Sequence, residues 1–113
     1  MIFHIAHRSD WDSAVVSGDY RVSSRGKTID DEGFIHASTA EQLSATAIRF
    51  YADDSQPLVV LGLDEVRIAA SGVELRWEGG TERFPHIYGV IVPQWVTAVH
   101  DAAFVDGTFV VNS

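Results

Sequence analysis

Apolar residues follow one another, or alternate with polar ones, over several short stretches of this chain, a pattern typical of β-strands. The run Leu58–Leu63 is apolar throughout, which predicts a central strand buried on both faces. Residues 73–78 alternate instead, with Leu75 and Trp77 on the predicted inner face and Glu78 on the outer face. Further strands are predicted at residues 2–6, 34–38, 85–92, 95–100 and 108–111.

Two stretches show the spacing of an amphipathic helix. Ser9 is predicted to cap the first helix, which ends at Gly18. Thr39 and Gln42 fit the capping box that opens the second helix, which ends at residues 53–55. The predicted buried positions are Trp11, Ala14 and Val15 in the first helix, and Leu43, Ala47, Phe50 and Tyr51 in the second.

The order of these elements indicates an α+β fold. Two helices and six or seven strands do not alternate regularly, which disfavours a doubly wound parallel sheet. A length of 113 residues fits a single domain, residues 1–113. Residues 20–33 fit neither pattern and are predicted to be irregular.

Composition and charge narrow the classes of function. Eight basic and sixteen acidic residues give a net charge of −8, which disfavours nucleic-acid and anionic-membrane partners. The chain has no cysteine, so disulfides, thiolate metal sites and cysteine nucleophiles are excluded. No apolar run approaches the roughly 20 residues of a membrane span, and no signal-peptide pattern is present. A cytoplasmic location is therefore expected.

Three histidines are the main candidates for chemistry. His4, His36 and His86 each lie in a short apolar strand, where a polar group must be hydrogen-bonded or line a cavity. Each one alone fits a core histidine with satisfied hydrogen bonds, and the three together suggest a shared cleft. His7 and His100 adjoin charged residues and are predicted to be solvated.

Several other residues have both a chemical and a structural interpretation. Glu78 is an acid–base candidate or a solvated carboxylate, and Tyr88 is a hydroxyl donor or a core aromatic on the face of His86. Ser38 lacks a Gly-x-Ser-x-Gly setting and is interpreted as a helix cap. A zinc site of His4, His36 and His86, with or without Glu78, is a further hypothesis without a local motif. Trp11, Trp77 and Trp95 are predicted to be core residues.

A basic cluster stands out in this acidic chain. Arg21, Arg25 and Lys27 fall within seven positions and could meet a diphosphate. The alternative is a solvated loop whose charge is balanced by the acidic residues 30–32 that follow it.

Two hexapeptides resemble the signatures of a bacterial family, domain of unknown function 952. They are Gly-Phe-Ile-His-Ala-Ser at residues 33–38 and Phe-Pro-His-Ile-Tyr-Gly at residues 84–89. Flanking residues agree with the family over residues 2–110, although Val90 and Ile91 stand where the family often has Pro-Leu. The flanking marks are Phe3-His4-Ile5, Trp11, Ala14, Gly18-Asp19-Tyr20, Gln42, Arg76-Trp77-Glu78 and Asp106-Gly107.

This resemblance implies a fold similar to that of ADP-ribosyltransferases, with a split, mostly antiparallel β core that holds NAD as a substrate. It places His4 at the polar position of the first strand, which contacts a ribose. His36 and Tyr88 are candidates for the position that supports the nicotinamide, and Glu78 or His86 for the catalytic carboxylate. The prediction is an enzyme or binder of an NAD or ADP-ribose type of nucleotide. His36, His86 and Glu78 would be catalytic, and His4, Tyr88, Arg21 and Arg25 would bind the ligand. The alternatives are a non-catalytic ligand-binding or interaction module and a histidine-dependent metal site.

Overall fold

Antiparallel sheets and helices make up the fold of residues 1–112, which the computed structural model describes, and this confirms the predicted α+β class. This part of the chain contains nine strands, four α-helices and one 3₁₀ turn. The strands are β1 (Ile2–His7), β2 (Val22–Ser24), β3 (Lys27–Thr28), β4 (Ile35–His36), β5 (Leu58–Leu63), β6 (Glu74–Gly79), β7 (Arg83–Tyr88), β8 (Val96–Val105) and β9 (Thr108–Val111). The helices are α1 (Arg8–Ser17), α2 (Ile29–Glu32), α3 (Leu43–Tyr51) and α4 (Glu65–Ala70), and the 3₁₀ turn is Pro93–Trp95.

The strands form three sheets, and every pairing within them is antiparallel. The largest has the order β1-β5-β8-β9, the second has the order β4-β7-β6, and β2 and β3 form a hairpin. Phe3 and Ser38 exchange two backbone hydrogen bonds of 2.8 Å, which join the edge strand β1 to the chain just after β4. The two larger sheets are thereby held side by side.

Strand β5 is buried on both faces, as its sequence predicts. Val59 and Leu61 face a core that includes Trp11 and Ala14 of α1. Val60 faces a second core with helix α3. The buried residues of α3 there are Leu43, Ala47 and Tyr51. A central strand covered by a helix on each side needs apolar side chains at every position, which explains the continuous run.

Helix α1 differs from its prediction at its start and on its buried face. It begins at Arg8, with His7 at the N-cap position and no side-chain cap, so the predicted Ser9 cap is wrong. Trp11 and Ala14 are buried, but Val15 is 55% exposed because α1 touches the sheet along a narrow strip. The end is as predicted: Gly18 adopts a left-handed conformation and its N–H donates to the Ala14 carbonyl.

Short elements account for most of the missed structure. Residues 20–33 are not irregular, because they hold the β2–β3 hairpin and α2. Helix α2 opens with a capping box between Thr28 and Asp31. Helix α4 is capped by Asp64, whose side chain accepts the N–H groups of Val66 and Arg67. Elements of two to six residues are too short to show a hydrophobic period.

Several strand boundaries also differ from prediction. The strand predicted at 34–38 is hydrogen-bonded as β4 only over Ile35–His36, and the one at 85–92 is β7, which ends at Tyr88. The strand predicted at 95–100 is β8, which continues to Val105, whereas β9 matches its prediction. None of the helices within residues 1–112 has the length and apolar character that crossing a membrane requires.

Two of the three tryptophans are core residues. Trp11 and Trp95 are buried, as predicted. Trp77 is 42% exposed, and its predicted burial is wrong. It lies near the end of β6, which is the edge strand of its sheet, so no neighbouring strand covers it.

Candidate functional site

A cleft of about 550 Å³ is lined by residues of β4, α3 and the β6–β7 hairpin. The antiparallel pairing of β4 with β7 puts His36 directly opposite His86. Their ring centroids are 5.3 Å apart and the rings are nearly perpendicular. Two of the three candidate histidines therefore meet in one cleft.

A carboxylate from the neighbouring strand contacts His86. Glu78 pairs with Phe84 in the β6–β7 ladder, so Glu78 lies on the same face as His86 and diagonal to it. Its Oε1 accepts a hydrogen bond of 3.0 Å from His86 Nδ1 and one of 2.5 Å from the Tyr88 hydroxyl. The predicted outer face of β6 is thus one wall of the cleft, and His86 and Tyr88 share a strand face as predicted.

The protonation of this group follows from its hydrogen bonds. The Tyr88 hydroxyl, and then His86, hold the pKa of Glu78 below its usual range. The same bond to Glu78 raises the pKa of the Tyr88 hydroxyl. At neutral pH the pair is therefore an ionised carboxylate beside a protonated phenol. Because an ionised carboxylate only accepts, Nδ1 of His86 carries the proton, and in neutral imidazole Nε2 keeps its lone pair.

His36 faces the same cleft with a different partner. Its Nε2 lies 3.8 Å from Glu32 Oε2, at the end of α2. Burial lowers the pKa of His36 below its usual value, and the nearby Glu32 opposes this shift without reversing it. His36 is therefore neutral at pH 7, so it can both donate and accept a hydrogen bond.

Aromatic rings surround the two histidines. Phe34 stacks on His86 with 4.0 Å between ring centroids and an angle of 15°. Phe34 also lies 4.8 Å from the His36 ring, and Phe50 of α3 lies 5.7 Å from it. Flat apolar surfaces of this kind suit an aromatic base or a nicotinamide ring.

The cleft includes one cation that the sequence did not single out. Arg49 of α3 lines it beside Phe50, with the guanidinium carbon 5.2 Å from the ring centroid. A position two residues before the end of an ordinary amphipathic helix gives no signal in sequence. Arg49 reaches the cleft because α3 and the β6–β7 hairpin both line it.

His4 does not line this cleft, and its ligand-binding role stays a prediction. The side chain is only 3% exposed. Its Nδ1 donates to the His36 carbonyl at 2.5 Å, and its Nε2 accepts from the Tyr20 hydroxyl at 2.9 Å. Burial lowers the pKa of His4 to about 4. His4 is a neutral core histidine with both nitrogens satisfied.

The same contacts remove the hypothesis of a three-histidine zinc site. A ligating imidazole needs a free nitrogen lone pair, and the lone pair of His4 is taken by Tyr20. In the described part of the chain, no three His, Asp or Glu side chains are arranged to hold a metal ion. The prediction of a zinc site at His4, His36 and His86 is therefore wrong.

The basic cluster lies away from the cleft. Arg25 bonds Asp53 at 2.5 Å and Asp54 at 3.1 Å, and Arg21 lies 3.3 Å from Asp19. Lys27 is exposed on β3. Neither Arg21 nor Arg25 lines the cleft, and their ligand-binding role stays a prediction. The charges that balance the two arginines come from Asp19, Asp53 and Asp54 rather than from residues 30–32.

The remaining two histidines differ from each other. His7 is not solvated as predicted, because its Nε2 lies 2.5 Å from Oδ2 of Asp54, whose side chain is only 4% exposed. This contact ties the end of β1 to the chain after α3. His100 has a partly exposed ring on β8, with Nδ1 3.2 Å from the Asn112 carbonyl. Neither lines the cleft.

The segment between β4 and α3 also corrects one prediction and confirms another. Ser38 does not cap a helix, because its hydroxyl bonds the Thr46 hydroxyl at 2.9 Å. Both capping-box bonds between Thr39 and Gln42 are present, at 3.1 and 3.2 Å, one turn before α3 begins. The Gln42 amide also donates to the Arg83 carbonyl at 2.7 Å, which ties α3 to the β6–β7 hairpin across the cleft.

A family model described as "Protein of unknown function (DUF952)" matches residues 5–99 of the chain. Solved structures of protein CC0527 from Caulobacter crescentus are similar to it. The crystal structure has a TM-score of 0.80 at 29% identity and covers 96% of this chain and 92% of that one. The solution structure has a TM-score of 0.73 at 31% identity and covers 95% and 89%. No curated protein matches the chain.

Proposed function

Because this chain belongs to the DUF952 family of proteins of unknown function, we propose its function from the cleft itself. The proposal is acid–base catalysis by His86, oriented by Glu78, on a small nucleotide of the NAD or ADP-ribose type. The observation that carries it is the hydrogen bond of 3.0 Å from His86 Nδ1 to Glu78 Oε1 in the wall of the cleft.

This pairing gives His86 the properties of a general base. Glu78 fixes the orientation and tautomer of the imidazole and stabilises the cation that forms when Nε2 takes up a proton. Phe34 holds the ring from one face by stacking. Tyr88 in turn holds the carboxylate that orients His86. These contacts restrict the ring to the geometry that proton transfer requires.

The size and lining of the cleft support a nucleotide as substrate. About 550 Å³ lies within the range of small-molecule sites, which are mostly apolar with a few placed polar groups. Phe50 and Phe84 offer flat apolar surface, and the neutral His36 can hydrogen-bond a ribose hydroxyl. Among such nucleotides we propose NAD, because the family resemblance of the two hexapeptides implies a fold similar to that of ADP-ribosyltransferases.

The proposed reaction is hydrolysis, with water as the acceptor. Oxygen of the water attacks the ribose carbon that carries nicotinamide, and the carbon–nitrogen bond breaks. The electron pair of that bond leaves with nicotinamide, which becomes neutral. His86 Nε2 takes the proton from the attacking water, and ADP-ribose is the second product.

The test is release of nicotinamide from NAD, followed by chromatography. We expect release by the wild type and a rate about 10²–10⁴-fold lower for His86→Ala, as for loss of a general base. His100→Ala is the matched control, because His100 lies outside the cleft, and its rate should equal that of the wild type.

Two results would contradict the proposal. One is a His86→Ala rate equal to that of the wild type. The other is saturable binding of ADP-ribose with no release of nicotinamide, which identifies the non-catalytic binding module instead.

A further inference from the structure

We infer that Arg49 binds a phosphate group of the ligand in this cleft. The inference deepens the proposed function, since it concerns the same site and supplies the anion-binding residue that the basic cluster at Arg21 and Arg25 does not supply. The observation behind it is which arginines of the molecule form an ion pair with a carboxylate and which do not.

Five of the seven arginines have a carboxylate partner within 4.0 Å. In residues 1–112, Arg49 and Arg83 have none. Of these two, only Arg49 lines the cleft. In a chain with a net charge of −8, an arginine without a carboxylate partner at the wall of a cleft is a ready site for an anion from outside. The paired arginines are Arg8, Arg21, Arg25, Arg67 and Arg76.

The acidic residues of the cleft have other partners. Glu78 accepts from Tyr88 and His86, and Glu82 lies 3.4 Å from the Gln42 amide nitrogen. Neither forms an ion pair with Arg49. The guanidinium therefore keeps its full donor capacity for a ligand, whereas the hairpin side of the cleft is acidic and disfavours an anion.

The position of Arg49 fits one end of an elongated ligand. A row of rings leads from it to the proposed base: Arg49 lies over Phe50, whose ring is 5.7 Å from His36, which in turn is 5.3 Å from His86. A phosphate on Arg49 would leave the rest of the nucleotide along these rings. The planar guanidinium offers two parallel N–H donors to two phosphate oxygens, which selects phosphate over a neutral group.

Calorimetric titration with ADP and with adenosine tests this inference. We expect Arg49→Gln to weaken ADP binding by about tenfold or more, the effect of losing hydrogen bonds to a charged group, and to change adenosine binding less than about twofold. Arg83→Gln is the matched control, because Arg83 also lacks a carboxylate partner in residues 1–112 but lies outside the cleft. Its ADP affinity should stay within about twofold of the wild type.

Three results would overturn the inference: no ADP binding by the wild type at millimolar ligand, equal effects of Arg49→Gln and Arg83→Gln, or equal weakening of ADP and adenosine. Nicotinamide release is measured separately. If Arg49→Gln loses ADP affinity while the wild type releases no nicotinamide, Arg49 still binds phosphate and only the proposed catalysis fails. If His86→Ala abolishes nicotinamide release and Arg49→Gln changes the affinity for neither ADP nor adenosine, the proposed catalysis stands and only the role of Arg49 fails.

Discussion

Two histidine–tyrosine pairs within residues 1–112 have different hydrogen-bond partners. His4 and Tyr20 lie in the core, 2.9 Å apart, with both imidazole nitrogens bonded to uncharged groups. His86, which lines the cleft, and Tyr88 beside it on the same strand face form the cleft pair; they do not bond each other, because both donate to Oε1 of Glu78. The core pair has no charged partner, whereas the cleft pair is built around a carboxylate.

The comparison shows that the residue types alone do not decide function. Burial holds the His4 imidazole neutral down to a pKa of about 4, and no nitrogen remains for a ligand. In the cleft the carboxylate orients His86 through Nδ1 and leaves Nε2 to accept a proton. The core histidine therefore stabilises the fold, and the cleft histidine is available for chemistry.

The largest difference is expected in the stability of the two alanine variants. His4→Ala leaves a cavity and two unpartnered groups, the Tyr20 hydroxyl and the His36 carbonyl. We expect it to lower the free energy of unfolding by about 4 kcal/mol. His86→Ala loses mainly its stacking on Phe34 and should cost about 1 kcal/mol. Urea denaturation measures both, and equal losses would show that the assignment of core and cleft is wrong.

The second prediction concerns pH. The pKa of His4 in the folded protein is about 4, below the ordinary value of 6.5. Between these two pH values, His4 is protonated in the unfolded chain and neutral in the folded one. The stability that neutral His4 provides is complete above pH 6.5 and is lost as the pH falls towards 4. Its size is about 3 kcal/mol. His4→Phe does not titrate at this position, so the difference in unfolding free energy between it and the wild type should shrink by this amount from pH 7 to pH 4. A constant difference would contradict the prediction.

The third prediction compares the two tyrosines. Tyr20→Phe leaves the buried His4 Nε2 without a hydrogen-bond donor, which we expect to cost about 2 kcal/mol. Tyr88→Phe removes one of two donors to a partly exposed carboxylate, so it should lower the free energy of unfolding less than Tyr20→Phe does. Thermal unfolding of the two variants, prepared in parallel, provides the measurement. A larger loss for Tyr88→Phe would mean that the cleft group stabilises the fold more than the core pair.

The elements predicted best from sequence are those with enough residues to show a period. The apolar run of β5 correctly predicts a strand that is buried on both faces. The amphipathic pattern of α3 correctly predicts the burial of Leu43, Ala47 and Tyr51. Helices α2 and α4 were missed because four and six residues give no period, although the capping residues Thr28 and Asp64 were visible signals. Capping signals before short polar stretches would have found both.

The candidate site could be predicted only in part. His36, His86, Glu78 and Tyr88 do come together, because β4, β6 and β7 are neighbours in one sheet. His4 was grouped with them because its apolar setting looks the same in sequence. What separates it is the Tyr20 hydroxyl, 16 positions away, and no local pattern reveals that contact. Arg49 likewise lines the cleft because of the tertiary packing of α3, which no local pattern reveals.

The smallest expected effect on stability, and the sharpest test of the comparison, comes from Glu78→Gln. The hydrogen bond to Glu78 is the main cause of the raised pKa of Tyr88, whereas burial is the main cause for Tyr20. Removal of the charge should therefore return the pKa of Tyr88 towards its ordinary value and leave that of Tyr20 unchanged. The free energy of unfolding should change less than in any of the variants above, since Glu78 is partly exposed. NMR titration of ¹³C-labelled tyrosine rings measures each residue separately. A fall in the Tyr20 pKa, or none at Tyr88, would show that the carboxylate does not control the cleft tyrosine, and the role of Glu78 in orienting His86 would lose its support.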